Sequence, residues 1–268
     1  MATANDQKAP PRFAGTSQNR SLARGLELLR AFKPGADLLG NSELSERTGI
    51  AKATVSRLTQ TLVTSGFLEY DQEARAYRLA APVLSLGHAM QSASRILQIA
   101  KPLMRHASIN ARVNVGLACA DRTEMIYLES IRYNRKASLR TIAAGQRVPI
   151  ELTSLGRAYL ATLPDDVRAR LLAGIRPSYR ASTWKTIAAQ IESAHQSVTE
   201  NDFCLASWQP NVVAFASPLR LPGSADLVLN MSTQSDLEAA LLDSVLPRKL
   251  RDLKRLIVAT FEQLPYAR

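Results

Sequence analysis

The chain has 268 residues, 46% of them hydrophobic, enough for one large or two ordinary domains around a real core. No run of about 18 apolar residues occurs, which argues against a membrane-spanning helix. The net charge of +11 fits an anionic partner, nucleic acid first, yet residues 1–90 hold only 11 Lys/Arg against 8 Asp/Glu, so the basic excess lies mostly further along the chain.

Residues 1–19 lack the apolar stretch of a secretory signal and are rich in Ala, Pro, Gln, Asn and Ser, the composition of a disordered leader. A first helix is expected from Ser21 to Phe32, with Ser21 as N-cap, Leu22, Leu26, Leu29 and Phe32 on its inward face, and Pro34-Gly35 as its stop. Ser42 is expected to cap a second helix, Glu43 to Thr48, closed by Gly49 in the left-handed conformation. A third helix follows three residues later, from Lys52 to Ser65. Two short helices joined by a glycine-containing turn have the spacing of a helix-turn-helix.

In the third helix Val55, Leu58 and Leu62 recur at inward spacing, leaving Ala53, Ser56, Arg57, Gln60 and Thr64 on the other side and Lys52 and Thr54 at its start. Small residues let such a helix approach base edges. Arg57 can fork onto guanine, Gln60 can pair with adenine, and Thr54 and Ser56 reach phosphates or bases. A polar face of this kind is equally the solvated side of an ordinary three-helix bundle. The segments Phe67–Tyr70 and Ala76–Leu79 around Asp71–Arg75 then form a hairpin, which makes the motif winged. Arg75 at its tip can touch the DNA backbone. Arg75 and Arg78 can also simply neutralise Glu69, Asp71 and Glu73, and both readings are open.

A helical stretch from 82 to 111 comes next, its first part, 82–92, reading as a linker. Strands are expected at Val113–Cys119 and Glu124–Ile131 around the turn Ala120–Thr123, at Ser138–Ala143, at Phe203–Leu219 and at Asp226–Met231, with helices between and after. The fold class is therefore α+β, a helical head on a mixed body. Cys119 and Cys204 form no C-x-x-C pair, and His88, His106 and His195 are isolated, which points to reduced thiols in a cytoplasmic protein with no metal and no cofactor.

The run Ser21-Leu-Ala-Arg-Gly-Leu-Glu-Leu-Leu29 resembles the opening helix of the IclR family of transcriptional regulators. Leu44 to Leu58 resembles that family's helix-turn-helix, Tyr77-Arg78-Leu79 with Leu86-Gly87 its wing and linker, and Gly145-x-x-x-Pro149-x-x-x-Thr153-Ser-Leu-Gly-Arg-Ala-Tyr-Leu-Ala161 its effector-domain signature. The resemblance implies a winged helix-turn-helix domain over residues 20–81, a linker helix over 82–92 and a GAF-like effector-binding and oligomerisation domain over 93–268. It implies a double-stranded DNA operator, a small-molecule effector, and dimers or dimers of dimers as partners, with no membrane.

The helix expected near Leu152 or Thr153 has Thr153 and Ser154 at its N-terminus, where free N–H groups suit a carboxylate and where either side chain can equally be a plain cap. By resemblance Ser154 and Leu155 contact the effector, Val212 and Ala214 line its pocket from one strand, and Asn230 and Ser232 from another. Positions 230 and 232 share a sheet face, which can be the pocket or water. Cys204 and Ser207 are weaker candidates, and Trp208 can fill space beside Ala214, a position that is often polar or sulfur-bearing in the family. Arg132, Arg135, Lys136 and Arg140 form a basic cluster that either holds an anionic ligand or is a solvated edge.

No nucleophile elbow, phosphate loop, zinc motif or acid pair stands out, so an enzyme is not expected. A winged helix used for protein contacts is the second alternative, and steep salt dependence of DNA binding separates the two.

Overall fold

The computed structural model describes residues 19–133, 143–222, 226–234 and 245–263. Residues 1–18 of the expected leader, the expected strand Ser138–Ala143 except its last residue, and Arg135, Lys136 and Arg140 lie outside these. The described chain divides into two compact units between Gly87 and His88.

The first unit opens with α1 (Arg20–Arg30), capped by Asn19, whose side-chain oxygen accepts from Leu22 N at 3.0 Å. Ser21 lies inside the first turn and is not the cap. The expected inward face is half right. Leu28, Ala31 and Phe32 are buried and Leu29 partly so, but Leu22 and Leu26 are 63% and 51% exposed. Leucines at 22, 26, 28 and 29 spread over an arc of about 160°, wide enough to hold two different inward stripes, so periodicity alone does not choose between them. Packing against α2 and α3 selects the one centred on Leu28.

Helix α2 (Asn41–Thr48) starts at Gly40 rather than at Ser42, and Glu43 folds back so that its carboxylate accepts from Gly40 N at 2.9 Å. Gly49 ends the helix with φ +68°, as its left-handed role requires. Ser45 Oγ donates to Ile50 O at 2.7 Å and fixes the turn into α3 (Lys52–Thr64). Strands β1 (Leu68–Asp71) and β2 (Ala76–Leu79) form the wing. Its inner strand is tied back by a bridge the sequence did not suggest: Leu39 N donates to Tyr77 O at 3.0 Å and Tyr77 N to Leu39 O at 2.9 Å. Leu28, Leu39, Leu44, Val55 and Leu68 close the small core.

Helix α4 (Ala81–Ala93) contains the residues expected as linker and spans the division between the units. It carries no Asp, Glu, Lys or Arg, and none of its residues is buried.

The second unit is built on a six-stranded antiparallel sheet in the order β5-β4-β3-β8-β7-β6. Its strands are β3 (Asn114–Asp121), β4 (Glu124–Ile131), β5 (Arg147–Pro149), β6 (Cys204–Ala206), β7 (Val212–Leu219) and β8 (Leu227–Gln234). The single strand expected over Phe203–Leu219 is thus two, separated by a turn in which Asn211 takes φ +59°. Between Gly145 and the start of α6 lies the short edge strand β5, paired with β4. Helices α5 (Arg95–Ala111) and α9 (Leu246–Gln263) pack on one face. On the other lie α6 (Ser154–Leu160), α7 (Asp165–Ile175) and α8 (Ala181–Asn201). This is the α+β class expected. Among the described residues no helix is long and apolar enough to cross a membrane.

Candidate DNA-reading surface and effector site

Helix α3 is held by Val55 and Thr59, both fully buried, with Leu58, Leu62 and Val63 partly so. Thr59 was missed at the sequence level because a threonine reads as polar. Its hydroxyl donates to Val55 O at 3.0 Å and lies 3.5 Å from Asn41 Oδ1, so the methyl is left for the core. That arrangement turns Lys52, Ala53, Ser56, Arg57 and Gln60 outward, all exposed, while Thr54 is half-buried. None of the side chains of Lys52, Ser56, Arg57 and Gln60 makes a hydrogen bond or ion pair to another described residue. Thr64 is exposed too, but its hydroxyl is folded onto Gln60 O at 2.9 Å.

At the wing, the two arginines part company. Arg78 lies 3.3 Å from Glu69 and 3.3 Å from Asp71 and pairs with both. Arg75 sits at the tip with φ +49°, exposed, and has no ion-pair partner among the described residues. Asp71 also accepts from Ala74 N at 2.9 Å, closing the turn that presents Arg75.

In the second unit, much of the signature around α6 is scaffold. Gly145, at φ +85°, donates its N–H to Tyr127 O at 2.7 Å. Thr153 is the N-cap of α6: its hydroxyl accepts from Gly156 N at 3.1 Å and donates to Pro149 O at 2.7 Å. Gly156 has no alternative, since a Cβ there would stand 1.9 Å from Ile150 O. Arg157 is buried, with Nε donating to Glu151 O at 3.0 Å and Nη2 to Gln190 Oε1 at 2.6 Å; burial pulls its pKa down. Tyr179 Oη donates to the Glu151 carboxylate, and burial together with that bond pushes the phenol up to about 12. The cap role left open between Thr153 and Ser154 therefore belongs to Thr153, and Ser154 and Leu155 are buried in the first turn.

Helix α6 lies across β7 and β8, over a sheet face of small residues. Antiparallel register sets Asn114, Ser232 and Ala214 side by side in one row, and Gly116, Asn230 and Ala216 in the next. Ala214, Asn230 and Ser232 thus share the face that α6 covers, and Val212 lies at its end opposite Gln234. Cys204 is next to Ala216 and fully buried; its thiol donates to Ser154 O at 3.4 Å, and desolvation pushes its pKa up to about 12, so it is a packed hydrogen-bond donor and not a nucleophile. Ser207 and Trp208 are exposed in the β6–β7 connection. Arg132 directly follows β4.

Two residues that sequence reasoning did not pick complete this face. Tyr127, on β4, is buried against it, and Asn230 Nδ2 donates to its hydroxyl at 3.4 Å. Gly116 lies beneath them: a Cβ there would come within 2.4 Å of Asn230 Oδ1 and 2.5 Å of the Tyr127 ring. Asn230 Oδ1 is itself buried with no hydrogen-bond partner. A tyrosine in an apolar strand followed by a glycine across the sheet leaves no local sequence signal; only the β3–β4–β8 register joins them. Among the described residues no group of three His, Cys, Asp or Glu could hold a metal.

A winged helix-turn-helix whose outer face is uncommitted among the described residues, followed by an antiparallel α+β unit with a small-residue sheet face under one helix, is the architecture of a two-domain transcriptional regulator. The IclR helix-turn-helix domain matches residues 21–72 and the C-terminal domain of bacterial IclR transcriptional regulators matches residues 88–207. The chain is 39% identical over 184 residues to the HTH-type transcriptional regulator TsaQ1/TsaQ2 of Comamonas testosteroni, an alignment covering 68% of this chain and 66% of that protein. Over 92% of this chain and 96% of the other, the fold superposes with a TM-score of 0.82 on an IclR family transcriptional regulator from Brucella abortus, at 33% identity. An IclR homolog from Microbacterium hydrocarbonoxydans, solved complexed with 4-hydroxybenzoate, shares the fold with a TM-score of 0.69 at 20% identity, over 91% of this chain and 100% of that one. The chain belongs to the IclR family.

Proposed function

We propose that this protein is a cytoplasmic, sequence-specific regulator that places α3 in the major groove of a double-stranded operator and is modulated by a small organic acid, aromatic in kind, bound in the second unit. It would control genes for the catabolism of that acid. The observation that carries the reading is the outer face of α3. Lys52, Ser56, Arg57 and Gln60 are exposed, with no side-chain donor or acceptor committed to another described residue, beside a small Ala53 that lets the helix come close. Thr54 and the unpaired Arg75 would add contacts to the DNA backbone.

Two further features support the reading. Ser154, Leu155, Val212, Ala214, Asn230 and Ser232 are distributed over α6 and the sheet face it covers, which suits a bound molecule of modest size. The 4-hydroxybenzoate held by the Microbacterium relative is an aromatic carboxylate of that size. Helix α4, uncharged and without a buried residue, suits pairing with a second copy, and two reading heads need a pair of half-sites about 34 Å or a multiple apart. An effector that alters the geometry of such a dimer changes head spacing and so operator affinity.

The test is fluorescence anisotropy with duplexes from the region upstream of the gene, in a KCl titration. Affinity for one duplex should exceed that for scrambled DNA by at least about 10³-fold and fall steeply with salt. An acid that raises the melting temperature should shift the operator isotherm. Equal, weak binding to every duplex, with or without that acid, would remove the proposal.

A further inference from the structure

The basic excess of the second unit is unevenly placed, and the role given to α3 does not account for it. Helices α5 and α9, packed together on one face of the sheet, carry eight Lys/Arg against two Asp/Glu, and α5 has no acidic residue at all. Helices α6, α7 and α8 on the other face carry four against four. Charge of one sign gathered on one layer repels itself, so the fold gains nothing from the imbalance.

Internal partners absorb only part of it. Lys101 pairs with Glu129 at 2.7 Å and Lys254 with Asp202 at 2.6 Å. Arg95 is folded onto the end of α9, its guanidinium 4.0 Å from the centre of the Phe261 ring. Asp252 stands 4.0 Å from Arg248 and 3.8 Å from Arg255, one carboxylate between two well-exposed guanidiniums, where pairing contributes little. Those two arginines lie two turns apart, about 10 Å along one stripe of the helix. Arg105 and Lys249 have no ion pair among the described residues, and neither has Arg112, which directly follows α5; both arginines are exposed and Lys249 is half-buried.

The surface fits one kind of occupant best. A second copy of the same face would bring like charge against like. A protein partner is anchored by buried aromatic groups, whereas the large apolar side chains these two helices expose among the described residues are Ile109 and Leu256. A DNA duplex carries one negative charge for about every 1.7 Å of its axis and needs no pocket, only long cations spread along a face. We infer that the outer face of α5 and α9 is a second DNA-binding surface, which holds the phosphate backbone of a duplex without reading its bases. It lies outside the operator reading and stands whether or not α3 is the reader.

The experiment is anisotropy with the full-length protein and a scrambled duplex of about 40 base pairs, titrated with KCl. The triple variant Arg105→Gln, Arg112→Gln, Lys249→Gln removes three charges and no internal ion pair, so it should melt like the unmodified protein. Its slope of log K against log salt should be shallower by at least about 2, and its affinity at low salt weaker by at least about 10-fold, on scrambled and operator duplexes alike. Arg248→Gln with Arg255→Gln, an independent pair on the same face, should reduce the slope by about 1–2. Arg170→Gln, Arg176→Gln, Lys185→Gln removes the same net charge from the opposite layer and should change it by less than about 1. An unchanged slope in both α5–α9 variants, or an equal loss in the opposite-layer variant, would overturn the inference. So would a changed mass by light scattering, which would make the face a contact between copies. Loss of binding to poly-L-glutamate with the DNA slope intact would make it a dock for an acidic protein and overturn the inference equally. If the triple variant loses slope although no duplex is preferred over scrambled DNA, the surface stands and the operator reading falls; if a preferred duplex is bound alike by both proteins, only the surface falls.

Discussion

Arg57→Ala separates reading from folding more cleanly than any other change in the first unit. Arg57 is exposed in the middle of α3 and its side chain bonds to no described residue, so truncation removes no contact among the described residues. Alanine is the best helix former, and exposed substitutions of this kind stay within about 0.5 kcal/mol of neutral. Against DNA the loss is different in size. A guanidinium forked onto a guanine is worth about 1–3 kcal/mol, or roughly 5- to 150-fold in Kd. Anisotropy on the cognate duplex and on one with single base changes, each over a range of KCl, reports which contact is lost. A base reader loses affinity only on the cognate duplex, and the salt slope hardly moves. A phosphate contact loses affinity on both, and the slope falls by about 1. Arg78→Ala is the internal comparison, because Arg78 is already committed to Glu69 and Asp71 and should change binding far less. If Arg57→Ala binds both duplexes like the unmodified protein, with the same salt slope, α3 is not the reading element and the assignment of its outer face is wrong.

Three other outcomes follow from single contacts. Gly156→Ala should prevent folding of the second unit or cost it at least about 3 kcal/mol, since the new Cβ meets the Ile150 backbone at 1.9 Å and neither part can yield; a soluble variant with unchanged denaturant midpoint would contradict this. The protein should lose stability as pH rises from about 10 toward 12. The folded phenol of Tyr127 holds its proton to about 12 while the unfolded one releases it near 10, so the contribution is intact below 10 and is lost above it, on the order of 3 kcal/mol in all. Tyr127→Phe should flatten that alkaline limb in urea titrations, and an unchanged limb would refute the cause. Leu86→Asp, at a position 60% exposed on uncharged α4, should leave the melting temperature nearly unchanged but halve the mass seen by light scattering and weaken operator binding by about 10-fold or more. An unaltered mass would exclude α4 as the pairing surface.

What the sequence discloses is whatever depends on near neighbours. Gly49 and the three-residue step into α3 mark the helix-turn-helix because a left-handed residue has few occupants. The hairpin around Asp71–Arg75 is legible from its turn. Caps were misplaced by two residues at each of the first two helices, because Asn19, Ser21, Gly40 and Ser42 are all competent and only tertiary position decides between them. Leu22 and Leu26 are exposed although they share a stripe with Leu29, because the leucine arc of α1 is wide enough for packing to choose its other edge, at Leu28. The site in the second unit divides the same way. Ala214, Asn230 and Ser232 came from resemblance and two-residue spacing, whereas Tyr127 and Gly116 join them only through pairing of β3 with β4 and β8. Net charge misdirects most. Lys254 is committed to Asp202 at 2.6 Å, while the reading helix carries only Lys52 and Arg57. The proposed reader is marked by groups with no partner among the described residues, not by their number.

The sheet of the second unit separates a stable core from the proposed effector face. Along β7 and β8 residues alternate between two kinds. Val213, Phe215, Leu229 and Met231 point to α5 and α9 and are buried there with Val115 and Leu117. Each such side chain contributes about 1.5–3 kcal/mol. The residues between them, Ala214, Ala216, Asn230 and Ser232 with Gly116, face α6 and supply little apolar area and one empty acceptor. A face that filled its volume with leucine would be more stable and would leave no room for the proposed effector. Because strand side chains alternate strictly, the two demands are met by neighbouring residues without conflict. The prediction contained in that alternation is directional. Enlarging residues on the α6 face should chiefly alter what binds, and truncating residues on the α5–α9 face should chiefly alter whether the unit folds. A Phe215→Ala variant that stayed folded but lost only ligand would show that the two faces are not divided in this way.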